Sequence, residues 1–301
     1  MTVTRKLRLA IVGLGKMGMR HWRTWQTIPD VQLVAAVDID AQKFLWNKDE
    51  LVMSYSRCED LLGRIDAAVI ATPPDQHLSS SLPLLCAGIH CLIEKPLALT
   101  MADSIQLITT AGVHHARLAV GHSERFNPML QRIGDILQEN IRCIEVFRMA
   151  TPGFEAEVDV VHDLMVHDID WLIDALGQVP SNIRILDACR TGQLLSRVWC
   201  ELIFANGLVV QMTSSRIEKA RRRELILHRN SGGPLRINLD VETFPQGKDP
   251  LTLQAYSFLD FLRGKTSAIA TGMDALQVMT TGDSVRAACM STETCDVEVG
   301  R

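Results

Sequence analysis

Residues 9–21 read LAIVGLGKMGMRH, a short apolar run that ends in the glycine pattern G-x-G-x-x-G. Gly13 permits a tight turn, Gly15 lets backbone amides approach a pyrophosphate, and Gly18 lets the following helix pack closely on its strand. The positive end of that helix then faces the anion. The candidate cofactor contacts in this stretch are Gly13, Gly15, Lys16, Met17 and Gly18.

A second apolar run, Leu33–Val37, ends in Asp38. An acid roughly 20 residues past the glycine turn is placed to bind the ribose hydroxyls of NAD. The same carboxylate would repel the 2′-phosphate of NADP, and neither Ile39 nor Asp40 supplies the cation which that phosphate requires. The two motifs together predict NAD as cofactor. The alternative is a structural glycine turn beside a solvated aspartate.

The composition excludes several classes of protein. The chain has 301 residues, a net charge of −4 and a pI near 6.1, which argues against binding to nucleic acid or to an anionic membrane surface. No apolar run reaches the roughly 18 residues that span a bilayer, and no signal-peptide region precedes the first strand. The eight cysteines contain no C-x-x-C pair, which predicts neither a disulfide framework nor a zinc knuckle. We expect a cytoplasmic protein.

The first part of the chain alternates strand-like and helix-like segments. The predicted strands are Leu7–Val12, Gln32–Val37, Leu51–Tyr55, Asp66–Ala71, His90–Ile93 and Arg117–Gly121. The predicted helices are Lys16–Thr27, Ala41–Asn47, Gln76–Ala87, which contains Pro83 and is expected to kink or restart there, and Met101–Gly112. Such alternation predicts an α/β Rossmann domain, a doubly wound parallel sheet, over residues 1–124.

The pattern changes over residues 125–301. The predicted strands are Cys143–Ala150, Ile183–Cys189, Ser196–Phe204, Leu208–Thr213, Glu224–Arg229 and Leu235–Asn238. The predicted helices are Met129–Gln138, Val161–Leu176, Leu251–Arg263 and Asp274–Ala288. An Asn-Gly turn at residues 206–207 joins two of these strands as a hairpin. The expected fold is an α+β domain with a mainly antiparallel open sheet and helices on one face.

Ligands of a parallel sheet bind beyond the carboxyl ends of its strands, so the residues that follow each strand are site candidates. The fourth strand leads into Thr72, Pro73 and His77, beside the expected cofactor site, although the prolines also suit an ordinary turn. The fifth ends in Glu94 and Lys95. A lysine there can lower the pKa of a nearby hydroxyl; the alternative is a salt bridge at a strand end.

The sixth strand runs into a dense polar stretch, GHSERFNP at residues 121–128. Its candidate binding residues are His122, Glu124, Arg125 and Asn127. The planar guanidinium of Arg125 suits bidentate binding of a diphosphate or a carboxylate. The alternatives are a hinge between the two domains and, for Arg125, a brace that pairs with Glu124 or another acid.

The predicted helix Val161–Leu176 carries Asp163 and His167, four residues apart and therefore on one face. A carboxylate that orients an imidazole makes a general base that works near neutral pH. A polar helix face explains the same pattern equally well from this helix alone. A metal site built from His162, Asp163, His167 and Asp168 is the weaker alternative, because no further ligand cluster appears elsewhere, and we predict no metal.

These motifs together resemble the glucose–fructose oxidoreductase/inositol dehydrogenase/MocA (Gfo/Idh/MocA) family. The resemblance rests on the glycine pattern with His21, on the Glu94-Lys95-Pro96 triplet, and on Asp163 and His167 in the order D-x-x-x-H. It implies that Lys95 is the catalytic lysine, His167 the acid/base and Asp163 its partner. It also implies a Rossmann domain followed by an open-sheet domain that carries the substrate and often an oligomer interface.

Within the family, the stretch at residues 121–128 is similar to that of a nucleotide-sugar branch. That branch includes enzymes that oxidise the 3-hydroxyl of UDP-N-acetylglucosamine with NAD. The resemblance therefore implies a small-molecule substrate, no nucleic-acid or membrane partner, and a homodimer or homotetramer formed through the C-terminal sheet. The alternatives are a cyclitol or free-sugar dehydrogenase of the same family and a non-catalytic NAD(H)-sensing protein.

Overall fold

The computed structural model describes residues 5–44, 52–131, 133–137, 141–152, 158–240, 244–245, 247–292 and 295–296. The strands in these ranges are β1 (Leu7–Val12), β2 (Val31–Val37), β3 (Met53–Tyr55), β4 (Ala67–Ile70), β5 (His90–Ile93), β6 (Leu118–Val120), β7 (Ile141–Met149), β8 (Asn182–Thr191), β9 (Leu194–Ile203), β10 (Val209–Ser215), β11 (Arg222–Arg229), β12 (Leu235–Asn238), β13 (Ala270–Thr271) and β14 (Cys295–Asp296).

The same ranges contain eight α-helices. They are α1 (Lys16–Gln26), α2 (His77–Cys86), α3 (Met101–Val113), α4 (Pro128–Gln131), α5 (Ile133–Ile136), α6 (Val166–Leu176), α7 (Pro250–Leu262) and α8 (Gly272–Met290). Short 3-10 turns occur at Ala41–Phe44, Cys58–Leu61, Pro74–Gln76 and Ser123–Phe126, and a π-helical turn, Val161–Met165, precedes α6.

The first unit comprises residues 1–123 and 247–276. Its sheet has the order β13-β6-β5-β4-β1-β2-β3, and all pairs are parallel except β13 with β6. The central strands β1, β4 and β5 are buried on both faces, which explains their unbroken apolar sequences. The strand order reverses between β1 and β4, the position at which open α/β sheets bind their ligands. The predicted Rossmann sheet is confirmed.

Residues 247–276 return to the first unit, whereas the sequence predicts one uninterrupted domain from 125 to 301. Helix α7 packs against α1 through an edge-to-face contact between Trp25 and Phe258, whose ring centroids are 6.2 Å apart. At the ends of the two helices, Arg263 lies 2.8 Å from Asp30. The sequence pattern shows α7 as a helix but carries no information about which sheet it covers.

The second unit comprises residues 124–246 and 277–301. Its sheet has the order β12-β11-β7-β10-β9-β8-β14, in which only the pairs β7–β10 and β8–β14 are parallel among the described strands. One face packs against α6 and the buried part of α8 to form the core. The other face carries exposed side chains, including Trp199 and Leu186. The predicted, mainly antiparallel open sheet is confirmed.

Several predicted helices differ from the observed ones. Helix α2 runs from His77 through Pro83 without restarting, because proline removes one backbone donor but not the packing of the apolar face. The described part of the helix expected from Met129 consists of α4 and α5, which lie on either side of residue 132. The helix expected from Ala41 is a 3-10 turn as far as Phe44. Predicted element residues 45–47, 51, 132 and 138 lie outside the described ranges.

A disulfide joins Cys189 to Cys295 and corrects the prediction that the cysteines form no such bond. It links the edge strand β8 to β14, which pairs with it. The two residues are 106 positions apart, so no local motif marks them. Among the described residues, the side chains close enough together to share a metal ion are those of Asp187, Cys189 and Cys295. They are not the histidine and aspartate set considered from the sequence.

No helix of the described ranges is long and apolar enough to cross a membrane.

Candidate functional site

The glycine turn after β1 has the geometry that its sequence predicts. Gly13 has φ of +86°, and a Cβ there would lie 2.7 Å from the backbone of Ala71 and Thr72. A Cβ on Gly18 would lie 1.8 Å from the carbonyl oxygen of Gly13, so any side chain would separate α1 from the turn. Both glycines are therefore required by backbone-to-backbone packing.

Gly15 has a different role. It is the N-cap of α1, makes no side-chain capping bond, and has no atom within 4 Å of the position a Cβ would take. Lys16 is exposed and Met17 is partly buried at the first turn. The open space at a helix N-terminus with uncapped amides fits a phosphate group.

Asp38 is fixed beside this turn. Its Oδ2 atom accepts a hydrogen bond of 2.7 Å from the amide of Leu14, and its Oδ1 atom accepts one of 2.9 Å from the amide of Asp40. The carboxylate of Asp38, the residue after β2, therefore lies at the glycine turn that follows β1, as a ribose-binding acid requires. The structure brings the predicted glycines and Asp38 into one cradle.

The loop after β4 carries three of the predicted cofactor contacts, Thr72, Pro73 and His77. The hydroxyl of Thr72 is buried and accepts or donates no hydrogen bond within the described chain, which leaves it available to a bound molecule. Pro73 is exposed. His77, predicted as a cofactor contact, is fully buried, and its Nδ1 and Nε2 atoms lie 2.8 and 3.0 Å from the carbonyl oxygens of Pro96 and Thr72. It binds protein backbone on both sides and presents no nitrogen to a cofactor.

Glu94, another predicted cofactor contact, also bonds within the protein. Its Oε1 atom lies 2.7 Å from Nε2 of His21, and its Oε2 atom accepts a hydrogen bond of 3.3 Å from the amide of Lys95. Burial acts to raise the pKa of Glu94, but the hydrogen bond to His21 and the neighbouring positive charges hold it below its usual range. The carboxylate is therefore ionised, and Lys95 follows it directly at the end of β5.

The second unit carries Asp163 and His167 on consecutive helical turns. Asp163 lies in the π-helical turn and His167 is the second residue of α6, so the predicted single α-helix begins with a wider turn. Such turns are frequent at functional sites. The Oδ2 atom of Asp163 lies 3.5 Å from Nη2 of Arg216, whose Nη1 atom donates to the carbonyl of Val158. Sequence reasoning did not assign Arg216 to the site.

His162, next to Asp163, lies between two carboxylates. Its Nδ1 atom is 3.3 Å from Asp159, and its Nε2 atom is 3.0 Å from Asp283 on α8. Arg286 donates to the other oxygen of Asp159 at 2.7 Å. These contacts raise the pKa of His162, chiefly through the hydrogen bond with Asp159, and outweigh the burial that lowers it. The pKa of Asp159 falls to about 2, because its bonds to His162 and Arg286 outweigh its burial.

Replacing His162 with glutamine is expected to lower the free energy of unfolding by about 1–2 kcal/mol at about pH 6, and by less at about pH 9. A raised pKa means that the stabilisation is complete below the unfolded-state value near 6.5 and disappears as the pH rises through the folded-state pKa. Urea unfolding of both proteins at the two pH values measures the difference. Equal losses at both would show that the charge of His162 does not stabilise this turn.

Glu124 and His122 lie at the end of the sixth strand of the predicted series. His122 is buried in the first unit. Glu124 belongs to the second unit, where its Oε2 atom accepts hydrogen bonds from Arg148, at 3.3 Å, and from Arg223. Arg148 also binds Asp168 bidentately, with distances of 2.6 and 2.8 Å. Glu124 is thus part of an ionic network that also contains Arg148, Arg223 and Asp168.

Arg125 and Asn127, which the sequence predicts as substrate contacts, make hydrogen bonds within the protein. The Nε and Nη2 atoms of Arg125 bind both oxygens of Asp170 at 2.7–3.0 Å, and its Nη1 atom binds Asp174 at 2.9 Å. Asn127 is buried, and its side-chain oxygen accepts a hydrogen bond of 3.0 Å from the amide of Met129 at the start of α4. The brace considered as the alternative for Arg125 is the arrangement found.

Residues 7–122 match a family model described as an oxidoreductase family with an NAD-binding Rossmann fold. This stretch is therefore similar to the NAD-binding Rossmann domain of the Gfo/Idh/MocA oxidoreductase family. The cradle formed by Gly13, Gly15, Gly18 and Asp38 fits the pyrophosphate and ribose of that cofactor, and the buried hydroxyl of Thr72 lies at the same edge of the sheet.

Known members of this family resemble the chain beyond the Rossmann domain. The UDP-N-acetylglucosamine 3-dehydrogenase of Acidithiobacillus ferrooxidans is 29% identical over 223 residues, which cover 73% of this chain and 71% of that protein. A solved structure of that enzyme matches with a TM-score of 0.84 at 24% identity, over 95% of this chain and 98% of that one. Scyllo-inositol dehydrogenase from Lactobacillus casei, solved with NAD(H) and scyllo-inositol, matches with a TM-score of 0.81 at 18% identity, over 94% and 97%.

Proposed function

We propose that this protein oxidises a ring hydroxyl of a sugar with NAD, and that its substrate is UDP-N-acetylglucosamine, converted to the 3-keto form. The observation that carries the proposal is Lys95, fixed at the end of β5, on the sheet edge that also holds the glycine turn and Asp38. An NAD-sensing protein needs the glycines and Asp38 but no lysine at that position and no Asp163–His167 pair.

Bound NAD supplies the hydride acceptor. Lys95 stabilises the oxygen of the reacting hydroxyl as negative charge develops on it. His167 takes the hydroxyl proton as general base. Asp163, held by Arg216, keeps a negative charge on the turn that precedes His167 and favours the imidazolium that forms. Proton and hydride leave the substrate together, which yields a ketone.

The choice of a nucleotide sugar rests on relatives and on the stretch at residues 121–128. The relative that is 29% identical to this chain over 223 residues is named for UDP-N-acetylglucosamine. The predicted diphosphate contact, Arg125, is not part of the proposal, because Asp170 and Asp174 occupy its guanidinium. A cyclitol is the second candidate, since a structural neighbour was solved with scyllo-inositol.

The test is reduction of NAD by the purified protein with a panel of UDP-sugars, free sugars and inositols. An aminotransferase with glutamate removes the ketone, because oxidation of an alcohol by NAD is uphill near neutral pH. We expect the highest kcat/KM for UDP-N-acetylglucosamine, and at least tenfold weaker binding of NADP than of NAD, because Asp38 repels the 2′-phosphate. A preference for an inositol over every UDP-sugar would overturn the proposed substrate. If no compound of the panel led to reduction of NAD, the proposed dehydrogenase activity would be overturned.

We also propose that the chain self-associates through the outer face of the second unit's sheet, as a homodimer or homotetramer. That face carries Trp199 on β9 with 42% of its surface exposed. In the same row, beyond Thr213 of β10, lies Phe147 of β7, and Arg222 of β11 stacks on its ring at 3.5 Å. A sheet face with exposed aromatic side chains is typical of protein interfaces. Light scattering after gel filtration measures the mass. The cytoplasmic location stays a prediction.

A further inference from the structure

Lys95 lies in a short segment that follows the end of β5 and leaves the sheet. The last bond of the β5 ladder before it is donated by the amide of Glu94 to the carbonyl of Ile70, at 2.9 Å. Pro96, directly after Lys95, has no amide to donate. Beyond the strand, contacts made by the two neighbours of Lys95 therefore help to set the position of its backbone.

The neighbour before Lys95 is held by His21. The imidazole of His21 is 1% exposed and lies 2.7 Å from one carboxylate oxygen of Glu94, while the other oxygen accepts the amide of Lys95 at 3.3 Å. Gly121 makes room for this carboxylate, since a Cβ there would lie 2.9 Å from its Oε2 atom. The Glu94 carboxylate is thus held by its hydrogen bond to His21, and it fills the space that a side chain at residue 121 would need.

The neighbour after Lys95 is held by His77. Its imidazole is completely buried and spans the carbonyl oxygens of Pro96 and Thr72. Carbonyl oxygens only accept, so the neutral ring donates to one of them and the protonated ring to both. Burial lowers the pKa of His77, and these two oxygens oppose that shift. In either form the ring ties the segment after β5 to the loop after β4.

The two histidines come from helices that begin at the cofactor cradle. His21 lies on α1, which starts at the glycine turn, and His77 is the first residue of α2, which starts after the Thr72 loop. Each histidine therefore connects one side of Lys95 to one wall of the cradle.

We propose that His21 and His77 are positioning residues that fix the backbone of Lys95 against the two walls of the NAD cradle. The role of Lys95 itself rests on the proposed function. The histidines do not touch the reacting atoms; they set where the ammonium group stands relative to the nicotinamide end of the cofactor. Misplacement of a reacting group by about 1 Å costs about 100-fold in rate.

The first test needs no activity. Hydrogen exchange, followed by mass spectrometry, is measured in the NAD-bound protein for peptides that cover residues 94–97 and for β5 alone. Replacing His77 with phenylalanine keeps a buried ring but removes both nitrogens. Replacing Gly121 with alanine displaces the Glu94 carboxylate without deleting a polar group. We expect exchange at residues 94–97 to rise at least about tenfold in both variants, while β5 and NAD affinity stay near wild type.

The second test is catalytic and uses the substrate found with the wild-type protein. H77F and G121A should lower kcat about 100-fold with little change in KM for either substrate. His77→Gln, whose amide can donate to a carbonyl, should recover part of the loss. The control is His114→Gln, an exposed histidine of the same unit, which should match wild type in both tests.

Unchanged exchange at residues 94–97 in the folded variants would overturn the inference, and so would faster exchange with wild-type kcat. If H77F does not fold, G121A alone decides, because it leaves every hydrogen-bonding group in place. If the wild-type protein oxidises no polyol, the proposed function fails, and the exchange data still decide whether the histidines hold Lys95.

Discussion

Replacement of Lys95 with methionine is expected to lower kcat by about 10²–10³-fold and to leave folding and NAD affinity near wild type. Methionine keeps an unbranched stem but ends one atom earlier and lacks the charge that stabilises a developing alkoxide, an electrostatic contribution of about 3–4 kcal/mol in comparable sites. Lys95 follows β5 at the sheet edge of the cradle, and the strand itself is held by the ladder and by Glu94. The measurement is single-turnover reduction of NAD with saturating substrate.

Two further variants separate charge from position. Lys95→Arg retains the positive charge but spreads it over a planar group of different reach, so it should recover little activity. Lys6→Met, at an exposed lysine before β1, should behave as wild type. A near-normal rate for K95M would show that Lys95 takes no part in the reaction and would favour the alternative of a salt bridge at a strand end.

The parts of the site that the sequence predicts are those fixed by local chain geometry. Gly13 and Gly18 are needed because backbone atoms of the adjoining turn and strand occupy the space of a side chain, and that requirement appears as spacing within six residues. Asp38 is recognisable because it ends the next strand of a parallel sheet. The strands of the first unit were predicted for the same reason, since buried parallel strands read as apolar runs.

The parts that the sequence does not predict depend on partners far along the chain. Glu124 binds Arg148 and Arg223, which lie 24 and 99 residues away, so no local sequence pattern marks this ionic network. At position 77, a histidine could equally well bind a cofactor or hydrogen-bond to backbone carbonyls of the protein. Only the position of the Pro96 carbonyl, 19 residues later, decides between them.

Gly121 shows the same limit in a glycine. From the sequence it is the last residue of the predicted strand Arg117–Gly121, and its residue type does not reveal what occupies the space beside it. The structure shows that its missing side chain is the space that the Glu94 carboxylate fills. The signal that pointed to this region was the density of polar residues after it. The sequence predicts that those residues bind substrate; in the structure, Glu124, Arg125 and Asn127 make hydrogen bonds within the second unit.

Asp170→Asn is expected to lower the free energy of unfolding by about 3–5 kcal/mol, one of the larger effects available in this chain. Arg125 is 7% exposed and Asp170 is completely buried, and the guanidinium reaches both carboxylate oxygens. Removing the negative charge leaves a buried cation without its main counter-ion. Chemical unfolding followed by circular dichroism measures the loss. Asp174→Asn is the matched control, because that carboxylate is 45% exposed and its loss should cost less than about 1 kcal/mol.

The same pair distinguishes a brace from a substrate ligand. If Arg125 holds the fold, the double variant Arg125→Met with Asp170→Leu should be more stable than either single variant, because apolar side chains of similar volume replace a buried ion pair without leaving a charge behind. If Arg125 instead binds a substrate diphosphate, Arg125→Met should raise KM for the nucleotide sugar at nearly unchanged stability. The structure predicts the first result, since both oxygens of Asp170 already face the arginine.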